Sequence, residues 1–475
     1  MTGSVRMFDV GNSGLQAAKN ALSTVGHNIA NVNTEGYSRQ RVEQTAGPPI
    51  PITKGNSGSG VRTLGITRTN DEYLSRRIEQ EAKNFGAAEE RDVYLSQTEQ
   101  IFNEANTEGL NRLTTNFFNE FRKLSVEPEN MAIRAAVRES SSRLVYDMKR
   151  MDAELKEVQK NIDYRLTGYV SEFNALVKEV CDLNALIDKT RLGDQSPSPD
   201  LLDKRDVAMK RLGGLADISV AKDEKNRVTI TLAGKVAVVA GGDYINLETQ
   251  RTPENKEIHK SAGSLSVVAN DPLPVDLTPY LKGGRIGSLI EVRDKDIGSC
   301  HDQLNDVAYS LAKSVNAVHE QGFGMDGISG RKFFDDIKDF DSAAEMIKIA
   351  DPIMNSLESV AAAREANAPG DNRTAIAISN LSTIKGLVSD SDRTISDLYN
   401  TMVGELGTKT AAATRSVNFQ KDIMAQLEGF RESISGVNLD EETTNLVRFQ
   451  HAYAANAQVL KVADEVMSSV FTMFR

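Results

Sequence analysis

The chain has 475 residues, enough for roughly two to four domains, and a formal charge of −11 from 56 basic and 67 acidic residues. No basic stripe runs longer than a few residues, which excludes a nucleic-acid binder. The mean hydropathy is −0.37 and no run reaches the ~18 apolar residues of a membrane helix, which excludes a spanning segment. There is no Trp, only 12 Pro, and two cysteines, Cys181 and Cys300, with no partner motif. Low Pro favours long uninterrupted helices, and neither a disulfide framework nor a zinc site is indicated.

The first twenty residues lack the apolar stretch and small-residue cleavage site of a secretory signal peptide, so the default expectation is cytoplasm unless another export route serves the chain. Phe8, Gly11, Leu15, Ala18, Leu22, Val25 and Ile29 then step alternately by three and four, a heptad seam on a helix. Gly14, Ala17 and Ala21 make the rest of that face small. The helix stops at Asn31, Asn33 and Gly36. Extended sequence follows, with a proline cluster at 48–51 and a glycine-rich stretch at 55–60. A helical pattern resumes near Asp71 and continues to Arg191, with breaks at 103–109 and 127–130. Its last part carries one seam from Leu144 to Ile187. A helix over 131–189 is roughly 88 Å long at 1.5 Å per residue, which suits a rod.

Composition shifts at 193–200, and a short helix follows. Ile218–Val220, Arg227–Leu232, Val236–Ala240 and Tyr244–Leu247 read as strands of a β-rich insert. Helix returns near Ile286, with Ile290, Ile297, Cys300, Leu304, Val307, Leu311 and Val318 at heptad spacing. A glycine cluster occupies 322–330, the pattern is ambiguous over 340–370, and 373–435 reads as helix. Finally Leu446, Phe449, Tyr453, Asn456, Leu460, Ala463, Met467, Val470 and Phe474 step by three and four without error. Asn456 is polar within this seam: it either fixes register at some cost in stability or faces outward. Two helical ends flanking a rod-like middle predict a mainly α fold with a β-rich insert. In it the N- and C-terminal helices pair as a coiled coil, a long antiparallel helical rod follows, and a small β-rich domain lies outermost.

Catalytic and cofactor chemistry is not indicated. There is no H-E-x-x-H, G-x-S-x-G or Walker A sequence. The five histidines are scattered, and His451 beside Tyr453 reads as a packing residue. The glycines at 283–287 read as a turn and helix entry. The expectation is no catalytic residue, no cofactor and no metal.

The stretch 22–39, LSTVGHNIANVNTEGYSR, resembles the N-terminal signature of the bacterial flagellar axial proteins, and 436–460, GVNLDEETTNLVRFQHAYAANAQVL, resembles their C-terminal signature. The N-terminal motif residues are Asn28, Asn31, Asn33, Thr34, Gly36, Tyr37 and Arg39. Interior segments at 196–206, 283–289, 321–324 and 370–373 resemble the branch of this family that joins hook to filament. The resemblance implies a structural, non-enzymatic subunit of a junction ring. Its implied partners are further copies of itself, the hook protein, hook-associated protein 3 and an export chaperone at the C-terminal segment, with no nucleic acid and no membrane. It implies passage through the flagellar export channel without a cleaved signal peptide, to an extracellular place in the flagellum. Assembly would rest on the seams Phe8, Leu15, Ala18, Leu22, Val25, Ile29 and Leu446 to Phe474. The expected division is 1–58 with 437–475 as a terminal coiled-coil domain, disordered in the monomer; 59–192 with 283–436 as the helical rod; and 193–282 as the β-rich outer domain. Better-known family members carry a further outer domain, for which 325–370 leaves little room. The competing reading is an intracellular coiled-coil adaptor, which predicts a stable dimer with ordered termini.

Overall fold

The computed structural model describes residues 2–52, 55–103, 109–190, 197–223, 226–251, 265–270, 274–387 and 392–473. Helix α1 (Thr2–Ala30) leads into strand β1 (Gln40–Ala46), which pairs antiparallel with β4 (Val61–Arg68). The tip of this hairpin carries β2 (Ile50–Ile52) and β3 (Gly55–Ser57). The stretch read from sequence only as extended is thus a β-arm.

The body begins at α2 (Glu72–Ile101). Its N-cap Asp71 accepts hydrogen bonds from the Tyr73 and Leu74 N–H groups, at 2.9 and 3.1 Å. After α3 (Leu110–Val126) comes α4 (Met131–Thr190), 60 residues and about 90 Å long. Every seam residue from Leu144 to Ile187 is buried. No proline interrupts this helix, and its single apolar stripe has partners along its length: α3, α5 (Pro199–Leu215) and the strands of the insert.

Among its described residues the insert has two antiparallel sheets. One is β5 (Ile218–Lys222), β6 (Val228–Leu232), β7 (Val236–Ala240) and β8 (Asp243–Tyr244). The other is β9 (Leu247–Arg251), β10 (Leu265–Asn270) and β11 (Pro274–Asp276). The expected strand at 244–247 therefore straddles two sheets, and β10 and β11 were not anticipated. The inner faces, with Val228, Ile230, Val239 and Val267, join the apolar core of α4. Two asparagines of α4 bond to strand backbone. Asn174 exchanges both its amide hydrogen bonds with Leu247 of the outer strand β9 at 2.8 Å, and Asn184 does the same with Val228, at the start of the inner strand β6 beyond its pairing with β7, at 2.9 and 3.2 Å. These pairs satisfy backbone groups that would otherwise be buried unpaired.

Helix α6 (Gly284–Glu291) runs through a π turn at 292–297 into α7 (Gly298–His319). The π turn carries Arg293 inward, 1% exposed, onto Asp163 of α4 and the Leu265 carbonyl of β10, at 2.6 and 2.9 Å. Cys300 is buried in the α7 seam as expected. The ambiguous stretch 340–370 folds as a cap with the short helices α8 (Ala343–Met346) and α9 (Asp351–Asn355), and α10 (Arg373–Asn380) follows it. The helix expected over 373–435 is broken: α10 ends in a 3-10 turn, and α11 (Ile395–Ser435) starts afresh. Thr394 and Asp397 form a capping box there. Helix α12 (Leu439–Met473) closes the chain.

Candidate functional site

Helices α1 and α12 lie side by side and antiparallel. A side chain added at Gly11 would meet Leu460 at 3.1 Å, one added at Gly14 would collide with Asn456, and Asn28 touches Glu442 at 3.0 Å. The face of α1 turned to α12 is made of small residues: Gly11, Gly14, Ala18, Ala21 and Val25. Ala18, Ala21 and Val25 are at most 5% exposed. Small residues let the helix axes approach, and Asn456 packs directly on Gly14 with its amide bonded back to the Ala452 carbonyl at 2.9 Å.

The bulky residues of the N-terminal seam sit elsewhere. Phe8 is 48% exposed, and Leu15, Leu22 and Ile29 are half-buried on the flank of the pair. A straight helix drifts about 20° per heptad from a perfect 3.5 repeat. The Gly14, Ala21, Asn28 row therefore lies nearest α12, and the Leu15, Leu22, Ile29 row is turned aside. On α12, Ala463 is fully buried, Leu446, Phe449, Asn456, Leu460 and Met467 are half-buried, and Tyr453 is 39% exposed. The side chain of Val470 and all of Phe474 lie outside the described residues. His451 is exposed rather than packed, because the seam turns it away from α1.

The N-terminal motif forms the root of this pair. Gly36 turns the chain with φ +78°, and a β-carbon there would collide with Val207 of α5. Asn31 accepts from Thr34 Oγ1 at 3.2 Å and donates to the His27 carbonyl at 3.0 Å. Asn33 is exposed on the turn. Asn28 is 1% exposed. Its amide donates to the Gln40 carbonyl and to Glu442 Oε2, both at 3.0 Å, and its oxygen accepts from Tyr37 OH at 2.8 Å and Gln40 N–H at 3.0 Å. Arg39 binds Glu442 Oε1 through Nε at 2.8 Å and its terminal nitrogen at 2.6 Å, and reaches Glu441 at 2.6 Å. The Arg39 N–H donates to the Ser435 carbonyl at 2.8 Å, joining the motif to the end of α11.

A second set of bonds holds the motif to α5. Ser38 N–H donates to Asp203 Oδ2 at 2.8 Å, Gln40 Nε2 to Asp200 at 2.6 Å, and Arg68 of β4 bridges Asp203 and Asp206, each at 2.7 Å. Burial raises the Asp203 carboxyl above its ordinary range, against the pull of Arg68 and the Ser38 N–H. Burial also pushes the Tyr37 phenol up, reinforced by Asp200, Asp203 and Glu442, so it remains a neutral donor to Asn28. Sequence reasoning named the motif but not its receivers, Arg68, Asp200, Asp203, Asp206, Glu441 and Glu442. The available signal was charge: acidic residues recur at 200–206 and 440–442, inside two segments already singled out.

The comparisons agree with this anatomy. The profile described as "Flagella basal body rod protein" matches residues 8–37, which is α1 and its turn. "Flagellar basal body rod FlgEFG protein C-terminal" matches 431–473, the end of α11 with α12. Over nearly their full lengths, the chain is 28% identical to flagellar hook-associated protein 1 of Bacillus subtilis (99% of this chain, 98% of that one). It is 24% identical to that of Escherichia coli (97% and 98%). A solved structure, the flagellar hook junction protein FlgK from Burkholderia pseudomallei, superposes with a TM-score of 0.68 at 14% identity, covering 76% of this chain and all of that one. The profile of the flagellar hook-associated protein FlgK helical domain matches residues 95–334, just over half the chain, and the chain belongs to that family.

Proposed function

We propose that this member of the family polymerises as the junction ring between hook and filament, through its two end helices. The observation that carries the reading is the apolar flank of the end pair. Phe8, Leu15, Leu22 and Ile29 are left exposed or half-buried by α12, whereas the long seam of α4 is buried throughout. Burying each such side chain contributes ~1.5–3 kcal/mol, which in a ring offsets the entropy of ordering the ends. The partners are neighbouring copies, the hook protein on one side and hook-associated protein 3 on the other, with an export chaperone on the C-terminal segment before assembly. The subunit acts outside the cell and catalyses nothing.

The division of labour follows the same lines. Residues 1–58 with 437–475 serve as the tube domain and 59–192 with 283–436 as the rod, except that a boundary at 58/59 would cut the β1–β4 hairpin, so we assign 59–68 with β1. Of 193–282 we assign the sheets to the outer domain and α5 to the rod, because α5 packs on α2 and α4 and receives the N-terminal motif. The intracellular adaptor reading loses ground to the family membership. The test is complementation in a strain lacking the junction protein. Cells making the full chain hold filaments. Cells making a chain without residues 2–30 are expected to carry bare hooks and to release filament subunit into the medium. Normal filaments on the shortened chain would overturn the reading.

A further inference from the structure

We propose that Asn28 and Glu442 are a positioning pair that fixes the register of α12 on α1 and the direction in which the two helices leave the body. Shape contributes along the strip: Leu460 seats on Gly11 and Asn456 on Gly14, and a slide of α12 by one turn, 5.4 Å, in one direction would set Asn456 against the β-carbon of Ala18. Glu442 is different. It is 1% exposed, and a buried carboxylate is tolerated only where it is paired and hydrogen-bonded. One oxygen takes the Asn28 amide and the other takes the Arg39 guanidinium. A slide in either direction leaves Glu442 buried without partners and takes a bond from Asn28.

Asn28 is equally constrained from its own side. Both its amide bonds and both its acceptor sites are in use, and three of the four go to Tyr37 and Gln40 on the turn. The turn is in its turn bound to α5 through Ser38 and Gln40. The pair therefore links three pieces of chain more than 150 residues apart in sequence: the motif, α5 and α12. Glu441, whose side chain is 59% exposed, also meets Arg39 but lies in solvent, where such a pair contributes little.

Amide hydrogen exchange on the full chain, followed over residues 36–44 and 439–447, tests this. In the wild type these segments are expected to exchange at least tenfold more slowly than residues 6–14. N28D places a second carboxylate against Glu442 and is expected to speed exchange in both segments tenfold or more, with the body's melting transition unmoved. In the N28D/E442Q double variant the repulsion is gone, and at least threefold of the protection is expected to return. E441Q is expected to leave exchange unchanged. If N28D yields no folded protein, E442Q alone carries the test, with a threefold or greater rise expected in both segments. The inference is overturned if the root segments exchange as fast as residues 6–14. It is also overturned if N28D or E442Q has no effect, if the double variant is no better than N28D, or if E441Q matches E442Q. Filament retention is a separate readout, so failure of the ring reading is distinguishable from failure of this one.

Discussion

In the body, the helix contact beneath α3 is filled by rings: Phe117 packs edge-on against Phe118, Phe121 and Phe333, at 5.1, 5.2 and 5.9 Å between centroids. Phe117, Phe121, Phe333 and Phe334 are fully buried. Between α1 and α12 the α1 side of the contact is Gly, Ala and Val, met by Leu460 and Asn456 of α12, while Phe8 and Leu22 look outward or sideways. Both are apolar contacts on a helix, the first against the irregular segment that carries Phe333 and Phe334, yet the first hides its large side chains from water and the second leaves Phe8 exposed. A contact of the first kind is complete within one chain. One of the second kind gains most of its apolar burial from neighbours, which is what a polymerising end requires.

The largest expected effect is in the body. Phe117→Ala removes the centre of the ring cluster and is expected to cost about 3–5 kcal/mol in urea denaturation of the isolated subunit. A cost below 1 kcal/mol would show that this cluster is not the closed core described.

Next is acid. His319 lies beside Phe333, 1% exposed; its Nε2 accepts from the Ala361 N–H at 2.9 Å, so its Nδ1 carries the proton and donates to the Arg331 carbonyl at 2.8 Å. Burial lowers its pKa to about 4 from 6.5. The unfolded chain therefore takes up this proton first as pH falls. The neutral imidazole's stability is fully present above about 6.5 and is lost as pH falls toward 4, by about 3 kcal/mol in all. Urea titrations at pH 7.5, 5.5 and 4.5 should show a steeper fall for wild type than for His319→Gln. Parallel slopes would remove His319 from the account.

A smaller effect is expected at the root of the ends. Gly36→Ala forces a β-carbon into left-handed backbone, worth about 1–2 kcal/mol, and against Val207. The loss should appear as faster amide exchange in residues 28–40, with the main denaturation midpoint almost unchanged. A fall in that midpoint as large as that of Phe117→Ala would mean that ends and body unfold as one unit.

Much of this comparison was legible in the sequence. The α4 seam could be read residue by residue, because a 60-residue helix with one covered face leaves a 3-4 pattern, broken here only by a single 4-4 step at Ile162. The end helices were legible as helices, but their contact face was not. Leu15 and Leu22 outweigh Gly14 and Ala21 in any hydrophobic pattern, whereas close approach favours the small row. Nor could the pattern reveal the receivers of the N-terminal motif, since Asp203 and Glu442 lie 165 and 414 residues from their partners Ser38 and Asn28. The ambiguity over 340–370 had a physical cause as well. That cap has short helices and single backbone bridges, Phe323 to Ala363 and Phe334 to Ile349, in place of a long element, and these leave no periodicity.

The smallest effect on the isolated subunit is expected where the effect on assembly is greatest. Leu22 is half-buried on the flank of α1, beside and not within the strip that meets α12. Leu22→Glu is therefore the most direct test of the claim that the end pair is finished by neighbours. Melting of the isolated variant beside wild type should show a midpoint within about 1 °C, as for a surface change of under ~0.5 kcal/mol. Cells making only the variant should lose their filaments into the medium. A midpoint lowered by many degrees, or normal filaments with Glu at position 22, would contradict the account.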